Sequence, residues 1–159
     1  MGQAISNLFF HFEKWSEQDL SFRLCESGDA VYFADMFDQP LQAGTAELMA
    51  ERLQALYRSK REIHLAVEKS NGTFAGIVDL YDFRGNSCEI GYRIRRSCRR
   101  QGIATKAAGA VLAKLREYQV KEVRARCEEK NTASAHVLEN NHFHCIDQRN
   151  HILYYEVKL

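Results

Sequence analysis

The 159-residue chain holds 22 Lys and Arg against 21 Asp and Glu, a formal charge of +1, with 45% hydrophobic and 27% charged residues. That balance fits one folded domain over 1–159, and excludes general affinity for nucleic acid or an anionic membrane, which needs many clustered cations. No apolar run reaches the ~18 residues of a membrane span, no secretory leader is read at the start, and five cysteines of unrelated spacing read as reduced thiols of a cytoplasmic protein.

Met1-Gly2-Gln3-Ala4-Ile5-Ser6 has the form of an N-myristoylation motif, a pattern short enough to arise by chance. Leu20, Phe22 and Leu24 alternate with Ser21 and Arg23 and predict a strand over 20–26. Val31, Phe33, Ala34 and Phe37 follow Asp29 at helical spacing, ending before Pro40. Thr45 is placed to cap a helix carrying Leu48, Leu53 and Leu56. Strands are predicted at 63–68, 73–83 and 87–95, joined by turns at Asn71-Gly72 and Arg84-Gly85-Asn86. A long helix follows over 102–118, with Ile103, Ala107, Val111, Leu112 and Leu115 on one face. A strand at 123–128, a helix at 133–140 and a last strand at 152–157 complete the order. The whole calls for a mixed α/β fold with a central mixed sheet and helices on both faces.

The most informative stretch runs from Cys88 to Lys106, where a strand enters a loop that opens a helix at Gly102. The first turn of a helix leaves N–H groups without partners and carries partial positive charge, so an anion is its natural partner. Gly102 and Ala104 keep the surface bare for phosphate oxygens, and Thr105, Arg99, Arg100 and Lys106 add a hydroxyl and charge. The alternative is a plain loop-to-helix glycine beside a solvated arginine face. A dinucleotide loop does not fit, because neither Gly-x-Gly-x-x-Gly nor a Walker ending is present.

Arg99-x-x-Gly102-x-Ala104 resembles the Q/R-x-x-G-x-G/A signature of the GNAT acetyltransferases, and Asn131-Thr132-Ala133-Ser134 with Val137-Leu138-Glu139-Asn140-Asn141-His142-Phe143 resembles their N-x-x-S…V-L-E-x-x-G-F segment. The resemblance spans residues 63–145, and Glu89-Ile90-Gly91-Tyr92 places it nearest the RimJ/RimL group, which acetylates ribosomal-protein N-termini. It implies a three-layer fold and acetyl-CoA as co-substrate. The pyrophosphate would lie on Arg99, Arg100, Gln101, Gly102, Ile103, Ala104 and Thr105, and the pantetheine on Ile94 and Asn131. Two positions depart from the family: Leu138 stands where many relatives carry a tyrosine acid, and His142 stands for the glycine. The chain ends soon after Tyr155, which leaves little room for a terminal strand pair.

Acyl transfer from a thioester needs a neutral amine, so a positioned carboxylate helps. Glu89 is the leading base, with Asp79 and Asp82 weaker. Glu89 lies five positions before Ile94, an odd spacing that sets their side chains on opposite faces unless a bulge intervenes, and the resemblance implies one there. Ser134 resembles the RimL-type serine that protonates the leaving thiolate, or else it caps its helix. Tyr92 and Tyr154 are reserve hydroxyls, and a backbone N–H near Tyr92–Ile94 is placed to meet the oxyanion. Cys98 reads as a packing thiol without a nearby base. His142, His144 and Cys145 lack a second ligand pair, so no metal is expected. The expected partners are acetyl-CoA and an amine, from a protein N-terminus to a polyamine that Glu13, Glu17, Asp19, Asp35 and Asp38 would attract. A monomer or homodimer is expected, the last strand being free to pair with a second copy. A CoA-binding module without turnover is the alternative function.

Overall fold

The computed structural model describes residues 3–10 and 13–159, so the Met1-Gly2 start of the lipidation motif lies outside it. In chain order the elements are α1 (Gln3–Phe10), β1 (Trp15–Glu17), β2 (Leu20–Leu24), a 3-10 segment (Ser27–Met36), α2 (Thr45–Arg58), β3 (Ile63–Lys69), β4 (Phe74–Arg84) and β5 (Ser87–Ile94). A 3-10 turn (Arg96–Cys98), α3 (Ile103–Glu117), β6 (Glu122–Glu128), α4 (Thr132–Asn140), β7 (His144–Arg149) and β8 (Ile152–Lys158) follow. The strands form one mixed sheet in the order β1-β2-β3-β4-β5-β6-β8-β7.

Four sequence expectations are corrected. The segment after Asp29 is a 3-10 run, because its buried residues Ala30, Phe33 and Met36 recur every third position while Val31 is 77% exposed. The Asp29 carboxylate fixes its start by taking two bonds from Arg23, at 2.7 and 2.8 Å, and one from the Glu26 N–H. Thr45 is the first residue of α2, whose N-cap is instead Gly44 at φ +82° with no side-chain cap. The chain does carry a terminal strand pair: β7 joins β8 through Asn150 and His151, both left-handed at φ +51° and +62°. All six β7 residues are exposed, so no alternation marked the strand. It also places β8 inside the sheet, between β6 and β7, where it has no free edge for a second copy.

Two apolar clusters flank the sheet. The larger holds Ile5, Leu8 and Phe9 of α1 and Ala107, Val111, Leu112 and Leu115 of α3 against Leu65, Val78, Leu80 and Ile90. The smaller packs Ala30, Phe33 and Met36 of the 3-10 segment and Ala50 of α2 on Ala66, Phe74 and Ile77. Each fully buried aliphatic side chain contributes roughly 1.5–3 kcal/mol.

The consequence for function lies between β5 and β6. These parallel neighbours pair only at Ser87↔Glu122, Cys88↔Val123 and Glu89↔Arg124. Beyond Glu89 they part, because β5 stays in register with β4 up to Gly76↔Ile94 while β6 follows β8 along its whole length. The result is a V-shaped gap in the middle of the sheet.

Candidate active site

The gap has a floor built from three strands. Register places His64 opposite Asp79 and Asp79 opposite Gly91, so these residues form one row across β3, β4 and β5. Cross-strand neighbours on one face lie within reach of a hydrogen bond, and His64 Nδ1 is 2.5 Å from Asp79 Oδ1. His64 Nε2 is 2.8 Å from Glu62 Oε2. The row runs from a buried histidine (7% side-chain exposure) to Asp79 at 15% and Glu62 at 32%. Gly91 leaves the Asp79 carboxylate uncovered, since a Cβ there would stand 3.8 Å from Oδ2.

The adjacent row pairs Tyr81 with Glu89. Glu89 Oε1 accepts from the Tyr81 hydroxyl at 3.0 Å and meets Arg126 Nε at 3.0 Å. Burial first, and then the Glu89 charge, push the Tyr81 phenol up to about 12. Glu89 itself lines neither large cavity, whereas Tyr81 and Arg126 line the first.

Two cavities meet at the gap. One of about 560 Å³ is floored by His64, Asp79 and Tyr81 and walled by α2 through Met49, Arg52 and Leu53. The other, about 540 Å³, follows the loop into α3 and is lined by Ile94, Arg99, Arg100, Gly102, Ile103, Ala104 and Thr105. Tyr92, Arg93, Asn131 and Ser134 border both.

The second cavity is shaped by the loop. Gly102 caps α3 at φ +74°, and a Cβ on it would meet no protein atom within 4 Å. Arg100, at φ +59°, is also left-handed. Arg99 is a strut: its Nε donates to the Ile94 carbonyl at 3.1 Å, Nη2 to the Met36 carbonyl at 3.3 Å, and Nη1 meets Asp38 at 3.1 Å. Asp35 binds Ser97 Oγ at 2.6 Å and Arg95 Nε at 3.1 Å, and the Ser97 hydroxyl does most to hold its carboxyl below the usual range. The acidic candidates Asp35 and Asp38 are thus paired with arginines of this cluster.

At the junction, Asn131 Oδ1 caps α4 by accepting from the Ser134 N–H at 3.1 Å. The Ser134 hydroxyl is therefore not the cap, and it lies 3.0 Å from the Tyr92 hydroxyl. Tyr92 donates its one proton to the Ser134 carbonyl at 3.1 Å, which leaves Ser134 Oγ–H to donate to Tyr92. Burial pushes Tyr92 up to about 12, partly offset by Ser134. Burial likewise raises the Cys127 thiol, and a bond with Ser134 opposes it.

The Arg95 N–H donates to Ala75 of β4 at 2.8 Å. Strand alternation then turns the Ile94 and Tyr92 N–H groups toward the gap. β5 carries no bulge between Glu89 and Ile94, so the two face opposite sides; the gap opens because β6 departs with β8. Of the residues expected to meet the co-substrate at this loop and helix start, Gln101 and Lys106 line neither cavity, and Gln101 reaches back to the Ser97 carbonyl. His64 and Glu62 were missed because an isolated His and Glu gave no motif, and only the register joins them to Asp79. Among the described residues no group of three His, Cys, Asp or Glu is placed to hold a metal ion.

The site is thus a mixed sheet parted between two parallel strands, with a bare helix start on one side of the gap and a polar floor on the other. The family model for the acetyltransferase (GNAT) domain matches residues 10–144, and the chain belongs to that family. Its fold is similar to ribosomal-protein-S5-alanine acetyltransferase from Vibrio fischeri, 16% identical over 92% of this chain and 97% of that one at TM-score 0.75. It is also similar to spermidine N-acetyltransferase from Vibrio cholerae in complex with CoA and spermine, 16% identical over 89% and 96% at TM-score 0.75. RimL, a ribosomal α-N-protein acetyltransferase in complex with coenzyme A, is 16% identical over 92% and 98% at TM-score 0.73. These identities show a shared fold. No curated protein matches the sequence.

Proposed function

We propose that residues 1–159 form one acetyl-CoA-dependent N-acetyltransferase domain that moves the acetyl group to a primary amine by direct attack. The observation that carries this is the meeting of the two cavities at Tyr92, Asn131 and Ser134, with a different chemistry on each side. The helix start at Gly102–Thr105 receives the pyrophosphate, and the parted edge of β5 receives the pantetheine. Gly102, with open space where a Cβ would stand, fits this role.

The amine enters from the His64 side. Asp79 takes its proton, and the proton leaves through His64 to Glu62, the most exposed member of the row. As the amine nitrogen bonds to the acetyl carbon, the Tyr92 or Ile94 N–H meets the carbonyl oxygen. The carbon–sulfur bond then breaks as the added nitrogen gives its second proton to the Asp79–His64–Glu62 row, and Ser134 Oγ–H turns from Tyr92 to protonate the thiolate and is reprotonated from solvent. Glu89 is a positioning residue that aims Tyr81 and Arg126 into the cavity. The hydroxyl pair at the junction favours turnover over a CoA-binding module that lacks it, even with Leu138 in place of tyrosine.

The deciding experiment is thiol release from acetyl-CoA against amines, amino acids and peptides with free or blocked N-termini, with product masses recorded. A gain of one acetyl mass on a free amine supports the reading. Tight acetyl-CoA binding with no transfer to any member rejects it.

A further inference from the structure

The acceptor-side cavity sorts its charges by position. Its floor is the Glu62–His64–Asp79 row, which stays net negative even with the imidazole protonated. Both ring nitrogens face carboxylate oxygens, which only accept, so an arriving ammonium finds the uncovered side of Asp79 beside Gly91. The wall carries Arg52 of α2, Arg93 of β5 and Arg126 of β6. Glu89 neutralises Arg126. Arg52 and Arg93 make no ion pair among the described residues, and Arg93 is held over the Phe37 ring at 5.2 Å. A polycation is attracted by the floor and repelled by the wall, while a neutral amine leaves two guanidiniums without counter-charge.

We infer that the acceptor is a primary amine that also carries a carboxylate: its amine lies on Asp79 and its carboxylate on Arg52 and Arg93. This rests on the transferase reading above and names its substrate class. Guanidinium–carboxylate contacts are strong and geometrically selective. Arg93 also borders the co-substrate cavity, so the test must separate a carboxylate on the acceptor from a phosphate on acetyl-CoA.

The test uses the full chain and peptides of one sequence whose second and third residues are Asp, Ala or Lys, together with glutamate and spermidine. Steady-state kcat/KM is measured alongside calorimetric binding of each acceptor to the CoA complex. Acidic peptides or glutamate exceed the neutral peptide by about tenfold, the effect of one charge-assisted bond, and spermidine is poorest. Arg52→Gln removes most of that preference in both readouts with KM for acetyl-CoA unchanged, Arg93→Gln removes it in the calorimetric binding of acceptor to the CoA complex, and Arg52→Glu turns it toward the Lys peptide. Glutamate leading assigns a free amino acid, and the acidic peptide leading assigns a polypeptide N-terminus. Equal use of acidic and neutral acceptors, a lead for spermidine, or a raised KM for acetyl-CoA with the preference intact in both variants overturns the inference alone. No transfer to any acceptor, with CoA still bound, overturns both it and the transferase reading.

Discussion

Ser134 of α4 and Asp79 of β4 divide the proposed chemistry between a helix and a strand that sequence separates widely. Ser134→Ala removes a hydroxyl that bonds Tyr92, while the α4 cap, made by Asn131, is untouched. The expected outcome is a kcat lower by about a hundredfold, with melting temperature and KM for acetyl-CoA unchanged. Asn131→Ala instead costs about 1 kcal/mol of stability through the lost cap, read by denaturant unfolding. Asp79→Asn lowers kcat/KM by about a hundredfold near neutrality. Because the amine sheds its own proton as pH approaches ~10, the deficit shrinks in alkaline buffer. A deficit constant across the pH–rate profile would remove Asp79 from the proton path. The motif exposed Ser134 in the sequence; Asp79 stood there only as a weaker candidate, because its partner His64 lies 15 residues away and is reached only across the sheet.

At the scale of elements, two turns carry the site. At the end of α4 the chain reverses at His142 with φ +66°, and the Phe143 N–H returns to the Leu138 carbonyl at 3.0 Å. The geometry expected of a glycine is kept by a residue that bears a Cβ, at a cost of about 1 kcal/mol. His142→Gly should raise stability by about that amount in thermal unfolding, with activity retained. The start of α3 gives the opposite case. Gly102→Glu fills the open space beside the helix N-terminus and adds a like charge to a phosphate site. CoA affinity in calorimetry should be lost while the circular dichroism spectrum is preserved; retained affinity would reject the loop assignment. The spacing of Arg99, Gly102 and Ala104 made this loop legible. The strut role of Arg99 was not, because its partners Met36 and Asp38 come from the 3-10 segment and the loop after it.

Across the whole molecule, burial sets the response to alkali. Tyr81, Tyr92 and Tyr155 are each pushed up to about 12, with burial the largest cause in every case. In the unfolded chain they ionise near ~10. The folded value lies above the unfolded one, so their contribution is full below ~10 and is lost as pH rises toward about 12. Denaturation midpoints measured across that window should fall, and Tyr92→Phe should flatten the slope.

Local pattern alone determined the alternation of the central strands, the long α3 and the bare helix start, because period and turn chemistry are written in neighbouring residues, whereas the Asn131–Ser134 segment was legible through its resemblance to the family's motif. It did not determine β7, whose six exposed residues carry no period, or the 3-10 geometry of Ser27–Met36, whose apolar spacing also suits a helix. Tertiary structure decided the rest. Only the sheet register sets His64, Asp79 and Gly91 in one row, and only the departure of β6 with β8 opens the gap between the two cavities. Both are long-range pairings, so no window of sequence contains them.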